Sequence, residues 1–549
     1  MSIATVSCRA QHGLSAPPVQ VEVSLNAGLP VFSMVGLPAT VVKESKERVR
    51  AALLHSHFEF PAGRITVSLA PADLPKSGGR FDLPIALGIL MASGQLRVRR
   101  AGLESAGLVT AGVGRAGAAA RGLAGGIAQR LARVEFFGEL GLSGELRPVS
   151  GMFLAAAHAT RAGHDVILPA ANADEVSVLA QASVAAGMPR SLIFPARHLL
   201  SVCAHLDGSA PLLPLEAGET SESTAGRDAS EPSLDLRDVR GQTMAKRALV
   251  IAAAGSHSVL MIGPPGVGKS MLARRLPGLL PPLSEAESLE VAAIASASGC
   301  GFQPASFGRR PVRTPHHTAS AVALVGGGSR ARPGEISLAH RGVLFLDELL
   351  EYDRRALQAL REPLESGVVH VTRAALQAQY PAEFQLVAAM NPCPCGRLGD
   401  PVGQCRCTPP EISRYRARVS GPLLERLDIH LEMPRVQVGE FGEPACVRES
   451  SAVAASRVAR ARDRQVRRQG VCNARLDDAR IEQYCSTDAQ GHAVLERAVQ
   501  QFGFSARARQ KILKLARTIA DLEVDGAAGI SAAHVSEAIS YRSLDRRTE

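Results

Sequence analysis

The chain has 549 residues, 46% of them hydrophobic, enough for about three or four domains with ordinary buried cores. No apolar run approaches the about 20 residues of a membrane span, and residues 1–10 lack the basic-then-apolar layout of a secretion leader, so a cytoplasmic address is expected. The ten cysteines then imply free thiols or metal ligands rather than disulfides. The net charge of +10 suits a polyanionic partner, although solubility alone also accounts for it.

Residues 1–206 alternate strand-like runs, at 19–25 and 64–69, with helical ones, which predicts an α/β domain. Two passages stand out, 69–84 and 138–151, the second leading through a helix to the strand-like run at 165–169. Together they resemble the proteolytic domain of Lon-type proteases, a ribosomal-S5-like α/β fold. That resemblance implies a Ser-Lys dyad, and here the chain departs from it. Arg80, Phe81 and Asp82 stand where the nucleophile belongs, no lysine stands at or near Phe153, and none occurs between Lys76 and Lys246. A serine hydroxyl without a base is a poor nucleophile, so the fold is expected without the protease. Residues 101–132 are rich in Ala and Gly with scattered Arg, and read as a surface insertion. Residues 207–234 are polar, acidic and aperiodic, which predicts a flexible linker.

Residues 235–445 carry the nucleotide signature. An apolar run at 258–262 leads into Gly263, Pro264, Pro265, Gly266, Val267, Gly268, Lys269 and Ser270, and a helical run follows. The pattern G-x-x-x-x-G-K-S between strand and helix is a phosphate-binding loop, whose backbone N–H groups and helix dipole favour an anion. Lys269 is expected at the β- and γ-phosphates of ATP, and Ser270 on Mg²⁺. A second apolar run ends in Asp347 and Glu348. A strand would deliver both acids to the edge where the phosphate loop emerges, Asp347 toward Mg²⁺ and Glu348 toward the attacking water. A third run, 385–391, ends in Asn391, an amide suited to the γ-phosphate or that water.

Arg426 lies in the run 421–428, and residues 446–549 read as helical. Within them 452–468 bears arginines 457, 460, 462, 464, 467 and 468 against Asp463 alone, either a solvated face or a contact with DNA or a neighbouring subunit. A basic amphipathic helix at 505–517 begins near Arg507. The stretches 313–318, 325–329, 332–340, 360–367 and 368–374 resemble magnesium-chelatase-like AAA+ proteins, and the whole chain is similar to the ComM/YifB-type family. The resemblance implies a Lon-like domain, an AAA+ P-loop ATPase core and a C-terminal helical lid. It further implies that Asn391 is sensor 1, that Arg426 is an arginine finger, and that Arg507 is sensor 2, with Arg509 and Arg517 as rivals. A finger serves a neighbour's site and so implies a homo-oligomeric ring, which the family forms as a hexamer. The family's associated activity is branch migration of incoming DNA in natural transformation, alongside recombination proteins. Glu362 departs from the Gln usual there.

In this clade a β-hairpin precedes sensor 1; here it spans 368–384 with Arg373 near its tip, a cation that could track a DNA backbone. Arg330 and Arg332 offer a second pore loop, and His316 and His317 read as a structural turn before metal ligands. Cys393, Cys395, Cys405 and Cys407 form two C-x-C pairs suited to structural Zn²⁺, although the spacing is tighter than usual. A chelatase-type motor that remodels a protein partner is the alternative function. A protease is opposed by the missing dyad, and a module using ATP only for assembly by Glu348 and Arg426.

Overall fold

The computed structural model describes residues 2–36, 40–74, 76, 78–99, 131–185, 191–215, 234–299, 301–328, 331–373, 376–436, 448–523 and 529–545. Nearly all of the Ala/Gly-rich stretch lies outside them. The chain forms two compact units, Met1–Arg227 with Ala292–Phe307, and Asp228–Val291 with Gly308–Glu549.

The first unit is built on β1 (Ser2–Arg9), β2 (Pro18–Asn26), β3 (Val31–Val35), β4 (Arg64–Ala70), β5 (Val134–Phe136), the short pair β6 (Glu139–Leu140) and β7 (Leu146–Arg147), β8 (Asp165–Pro169) and β9 (Ile193–Ala196). Seven of these make one mixed sheet in the order β3-β4-β2-β1-β5-β8-β9. Val19, Val21 and Val23 of β2 and Ile65, Val67 and Leu69 of β4 are buried, because alternate residues of a strand share one face. The helix Asp82–Ala92 is buried along almost its whole length. It approaches β2 so closely that a Cβ at Gly88 would lie 2.5 Å from Val23 Cγ2. Asp82 is buried beneath Ser45 and Arg48, whose Nε lies 2.7 Å from its carboxylate. Phe81 and Phe153, near the positions where a dyad would sit, are core residues at 0% and 1% exposure.

Two boundaries differ from the sequence expectation. Residues 292–307 belong to this first unit rather than to a continuous 235–445 segment. Phe302 packs on Phe153 with ring centroids 5.4 Å apart, and Ser296 Oγ donates to Glu175 at 2.7 Å. The linker also begins later than residue 207. Helix Leu199–Asp207 includes Asp207, and beyond it Leu212 N donates to His205 Nδ1 at 3.1 Å and Leu215 N to the Ile193 carbonyl at 2.7 Å.

The second unit carries β10 (Val259–Ile262), β11 (Val312–Arg313), β12 (Gly326–Gly327), β13 (Arg332–Pro333), β14 (Val343–Leu346), β15 (Val368–Arg373), β16 (Leu376–Pro381), β17 (Gln385–Met390) and β18 (Ile429–Glu432). Five strands make a wholly parallel sheet, β11-β14-β17-β10-β18. Strands β10, β14 and β17 are buried at every position and, apart from Gln385 at the start of β17, are apolar, the pattern of a parallel sheet covered on both faces. Strands β12/β13 and β15/β16 are two-stranded antiparallel hairpins.

The C-terminal helices share this core: Ala454, Val458 and Ala461 of helix Ser451–Gln469 join Ala248 and Ile251 of helix Thr243–Gly255. The first of these is capped by Ser450, whose side chain accepts from Val453 N, satisfying a free helical N–H. Its arginines are not one solvated face. Arg462 is buried and donates to the Ala253 carbonyl, Arg464 donates to the carbonyls of Asp521 and Glu523, and Arg468 pairs with Asp521 at 2.7 Å. Among the described residues no helix is long and apolar enough to cross a membrane.

Candidate nucleotide site

The parallel strands deliver the site to one edge. In register, Ile262 of β10 faces Met390 of β17, and Leu346 of β14 faces Ala388. The next residues along the chain are therefore Gly263, Asp347 and Asn391, all at the carboxyl ends, where α/β sheets bind ligands.

Glycine is required at three places in the loop, for two reasons. At Gly263 a Cβ would lie 2.4 Å from the Met433 carbonyl oxygen, while Gly266 and Gly268 have φ of 81° and 97°, a region open to glycine at no steric cost. Val267 anchors the loop in the core. Lys269 opens the short helix Lys269–Ala273. Its Nζ donates to the carbonyls of Gly263 (2.5 Å) and Pro264 (2.9 Å) and to Asn391 Oδ1 (3.1 Å). Burial pulls the Lys269 ammonium below its ordinary pKa, against the opposing charges of Asp347 and Glu348. Ser270 Oγ donates to Asp347 Oδ2 at 2.6 Å, so the hydroxyl and carboxylate wanted for Mg²⁺ already meet, a donor set of hard oxygens suited to that ion.

Glu348 takes a left-handed backbone (φ 51°) and turns its carboxylate to His317, with Nδ1 at 3.2 Å. The His317 ring lies 4.1 Å from that of His316, and Tyr352 Oη donates to the Pro315 carbonyl at 2.6 Å. The histidine turn is thereby tied to the acidic segment at Glu348 and again at Tyr352. Sequence spacing offered no sign of this pairing.

Arg426 and Arg507 meet at a separate cluster. Glu365 lies 2.7 Å from Arg426 and 3.6 Å from Arg507, which also reaches Glu425 at 3.7 Å. Arg426 donates to the Pro422 carbonyl, and its own carbonyl accepts from Lys511 Nζ at 3.1 Å. None of these partners belongs to the phosphate loop. The rival arginines have structural partners: Arg509 faces Glu496 at 3.6 Å, and buried Arg517 pairs with Asp521 at 2.8 Å.

Arg332 is exposed on β13, and Arg373 ends β15 opposite Leu376. Arg330 and the turn residues 374 and 375 lie outside the described residues.

The four cysteine sulfurs lie within 4.8 Å of one another. Cys393 Sγ is 3.4 Å from that of Cys395 and 3.6 Å from that of Cys405. Four ligands about 2.3 Å from a tetrahedral zinc would stand about 3.8 Å apart, so the donor set fits. Backbone N–H groups of Arg397 and Arg406 draw the Cys395 thiol down to about 6, toward the thiolate that a metal binds. Gly396 in the same loop lies against Pro265, whose Cδ would be 3.0 Å from a Cβ there. The cysteine-bearing loop therefore approaches the phosphate loop at Gly396 and Pro265.

A parallel sheet with this loop and acidic strand-end defines an AAA+-like nucleotide-binding domain, and the comparisons agree. The family described as "Magnesium chelatase, subunit ChlI" matches residues 235–441, its C-terminal counterpart 448–542, and "Subunit ChlI of Mg-chelatase" 21–112. The chain is 46% identical over 548 residues to the uncharacterized protein YifB of Salmonella typhimurium, covering 100% of this chain and 98% of that one. It is 43% identical over 546 residues to the competence protein ComM of Haemophilus influenzae, with the same coverage. A magnesium-chelatase 67 kDa subunit of Heliobacterium mobile is 29% identical over 234 residues, 37% of this chain and 34% of that protein. The chain belongs to the ComM/YifB-type magnesium-chelatase-like family, whose AAA+ class implies ATPase activity in general.

Proposed function

We propose that the chain is a cytoplasmic, ring-forming ATP-driven motor on DNA, a branch-migration helicase serving recombination of incoming DNA. The observation carrying this reading is the joined set Lys269, Ser270, Asp347 and Asn391 at one sheet edge; the relative named a competence protein supports the DNA role. Lys269 exchanges carbonyl partners for the γ-phosphate, which gives a stronger, charge-assisted bond. Mg²⁺, held by Ser270 and Asp347, would neutralise charge on the β- and γ-phosphates. Glu348 leaves His317 to orient the attacking water, and Asn391 holds its far side. Arg426 serves a neighbouring protomer's site in a hexamer as the arginine finger, and Arg507 is sensor 2. Arg373, with Arg330 and Arg332, tracks the DNA backbone. Cys393, Cys395, Cys405 and Cys407 would hold Zn²⁺ and so fix the loop beyond Asn391, and the C-terminal helices act as the lid. The first unit is Lon-like without proteolysis, buried Phe81 and Phe153 leaving no dyad.

The test is ATP-driven migration of a labelled three- or four-way DNA junction by wild type and Glu348→Gln. Migration by the wild type alone supports the motor. ATP turnover that DNA does not stimulate, with no junction moved, refutes the DNA role. It would favour the second reading, a motor remodelling a protein partner, which the likeness to the chelatase subunit supports.

A further inference from the structure

At the amino ends of the parallel strands, opposite the nucleotide edge, lies a second charged feature. Ser256 precedes β10, Gly342 precedes β14 and Gln385 opens β17, and all three line a cavity of about 150 Å³. Strands of four to six residues at about 3.3 Å each place it roughly 13–20 Å from the phosphate loop. At about 10–15 Å³ of such space per water, it admits a tetrahedral oxyanion with some hydration.

The walls are unbalanced in charge. Arg310, Arg341, Arg462 and Arg475 face it against only Glu287 and Glu383. Glu383 is taken by Arg341 at 2.6 Å and by Arg475, and Arg341 also reaches Glu290 at 3.1 Å. For Arg310 and Arg462, the only carboxylate within 4.0 Å among the described residues is Glu287, 3.9 Å from Arg310. Arg462 is 9% exposed and donates to the Ala253 carbonyl (2.8 Å) and Ser256 Oγ (3.5 Å), both neutral. Burial, then the charge of Arg462, pushes the Arg310 guanidinium down to about 10. Burying like charges side by side is costly unless a counter-charge joins them. Lys269, at the phosphate loop, is likewise a buried cation whose hydrogen-bond acceptors are neutral.

We propose that this cavity binds a phosphate-class oxyanion between Arg310 and Arg462, separately from the nucleotide site. Two guanidiniums match a dianion in charge; Arg310 Nε and Nη1 donate to the neutral carbonyls of Pro281 and Arg341, both at 2.7 Å, so the anion would meet its Nη2 group and the Nη1 group of Arg462. Because Arg462 sits on helix Ser451–Gln469 and Arg310 lies two residues before β11, the anion would clamp the C-terminal helices to the sheet. Its source is either inorganic phosphate, which ATP hydrolysis releases, or a backbone phosphate of nucleic acid.

Cys472 lines the same cavity, so its alkylation by iodoacetamide, read by peptide mass spectrometry on the full chain, reports occupancy. At ten times its dissociation constant, inorganic phosphate should slow that reaction about tenfold, with chloride at equal ionic strength without effect. The protection should persist in Lys269→Ala, whose phosphate loop is disabled, and weaken in Arg310→Lys and Arg462→Gln. Protection by a short oligonucleotide but not by inorganic phosphate assigns the site to backbone phosphate. Protection by neither, equal protection by chloride, or loss of protection in Lys269→Ala overturns the proposal; the wild-type result decides even if a variant fails to fold.

Discussion

Asp428, two residues past Arg426, offers a sharp test of how the finger segment is held. It is almost fully buried, and its carboxylate pairs with Lys511, accepts from Ser258 N (2.9 Å) and Ser258 Oγ (3.0 Å), and faces His257 Nδ1 at 3.6 Å. Burial alone would raise its pKa, but the Lys511 ammonium and His257 outweigh it and hold the carboxyl well below 3.8. Asp428→Asn keeps the shape and removes the charge, leaving Lys511 unpaired. Breaking a buried pair costs about 3–5 kcal/mol, and the retained amide acceptor places this case near the lower end. At about 2–4 °C per kcal/mol for a domain of this size, the melting midpoint of the second unit should fall about 6–12 °C. A depressed carboxyl contributes stability that is present above its unfolded pKa and lost only as pH falls through the folded one. The gap between wild type and variant should therefore hold from about pH 7 to about pH 5 and close only in stronger acid. Because Lys511 also holds the Arg426 carbonyl, ATP turnover should fall as well. A midpoint within about 2 °C of wild type, or a gap already closed at about pH 5, would falsify the reasoning.

His317→Ala frees Glu348 from a half-exposed contact worth at most about 1 kcal/mol and should raise DNA-independent ATP turnover, by about fivefold at most, with KM unchanged; an unchanged or lower rate counts against a holding role. Arg426→Ala should lower turnover about 10³-fold while nucleotide binding persists. Mixing it with Lys269→Ala chains should restore part of the activity, because intact fingers then meet intact phosphate loops; no recovery would argue against action across protomers. Purified wild type should carry about one zinc per chain, with Cys405→Ser carrying far less and melting lower. Absence of zinc from the wild type would sink the structural-metal reading.

Where chemistry depends on neighbours in the chain, it was legible without coordinates. The spacing of Gly263, Gly268, Lys269 and Ser270, and apolar runs ending in Asp347 and Asn391, are local patterns, and parallel strands bring such ends to one edge. The continuous burial of β10 and β14, and of β17 beyond Gln385, likewise follows from their apolar runs. Residues paired across long separations were not legible. His317 meets Glu348, and Glu365 gathers Arg426 and Arg507, through folding that no periodicity encodes. The arginines of helix Ser451–Gln469 look alike in the chain, yet Arg462 is buried against Ala253 and Arg467 points outward to Asp463. Residues 292–307 joined the first unit through Phe302 and Ser296, and the tail to Leu215 stayed with it. Local sequence set which side chains stand at the carboxyl edge of the parallel sheet. Only the tertiary structure decided which charges were buried and what they faced, because desolvation and pairing depend on the whole surroundings of a group.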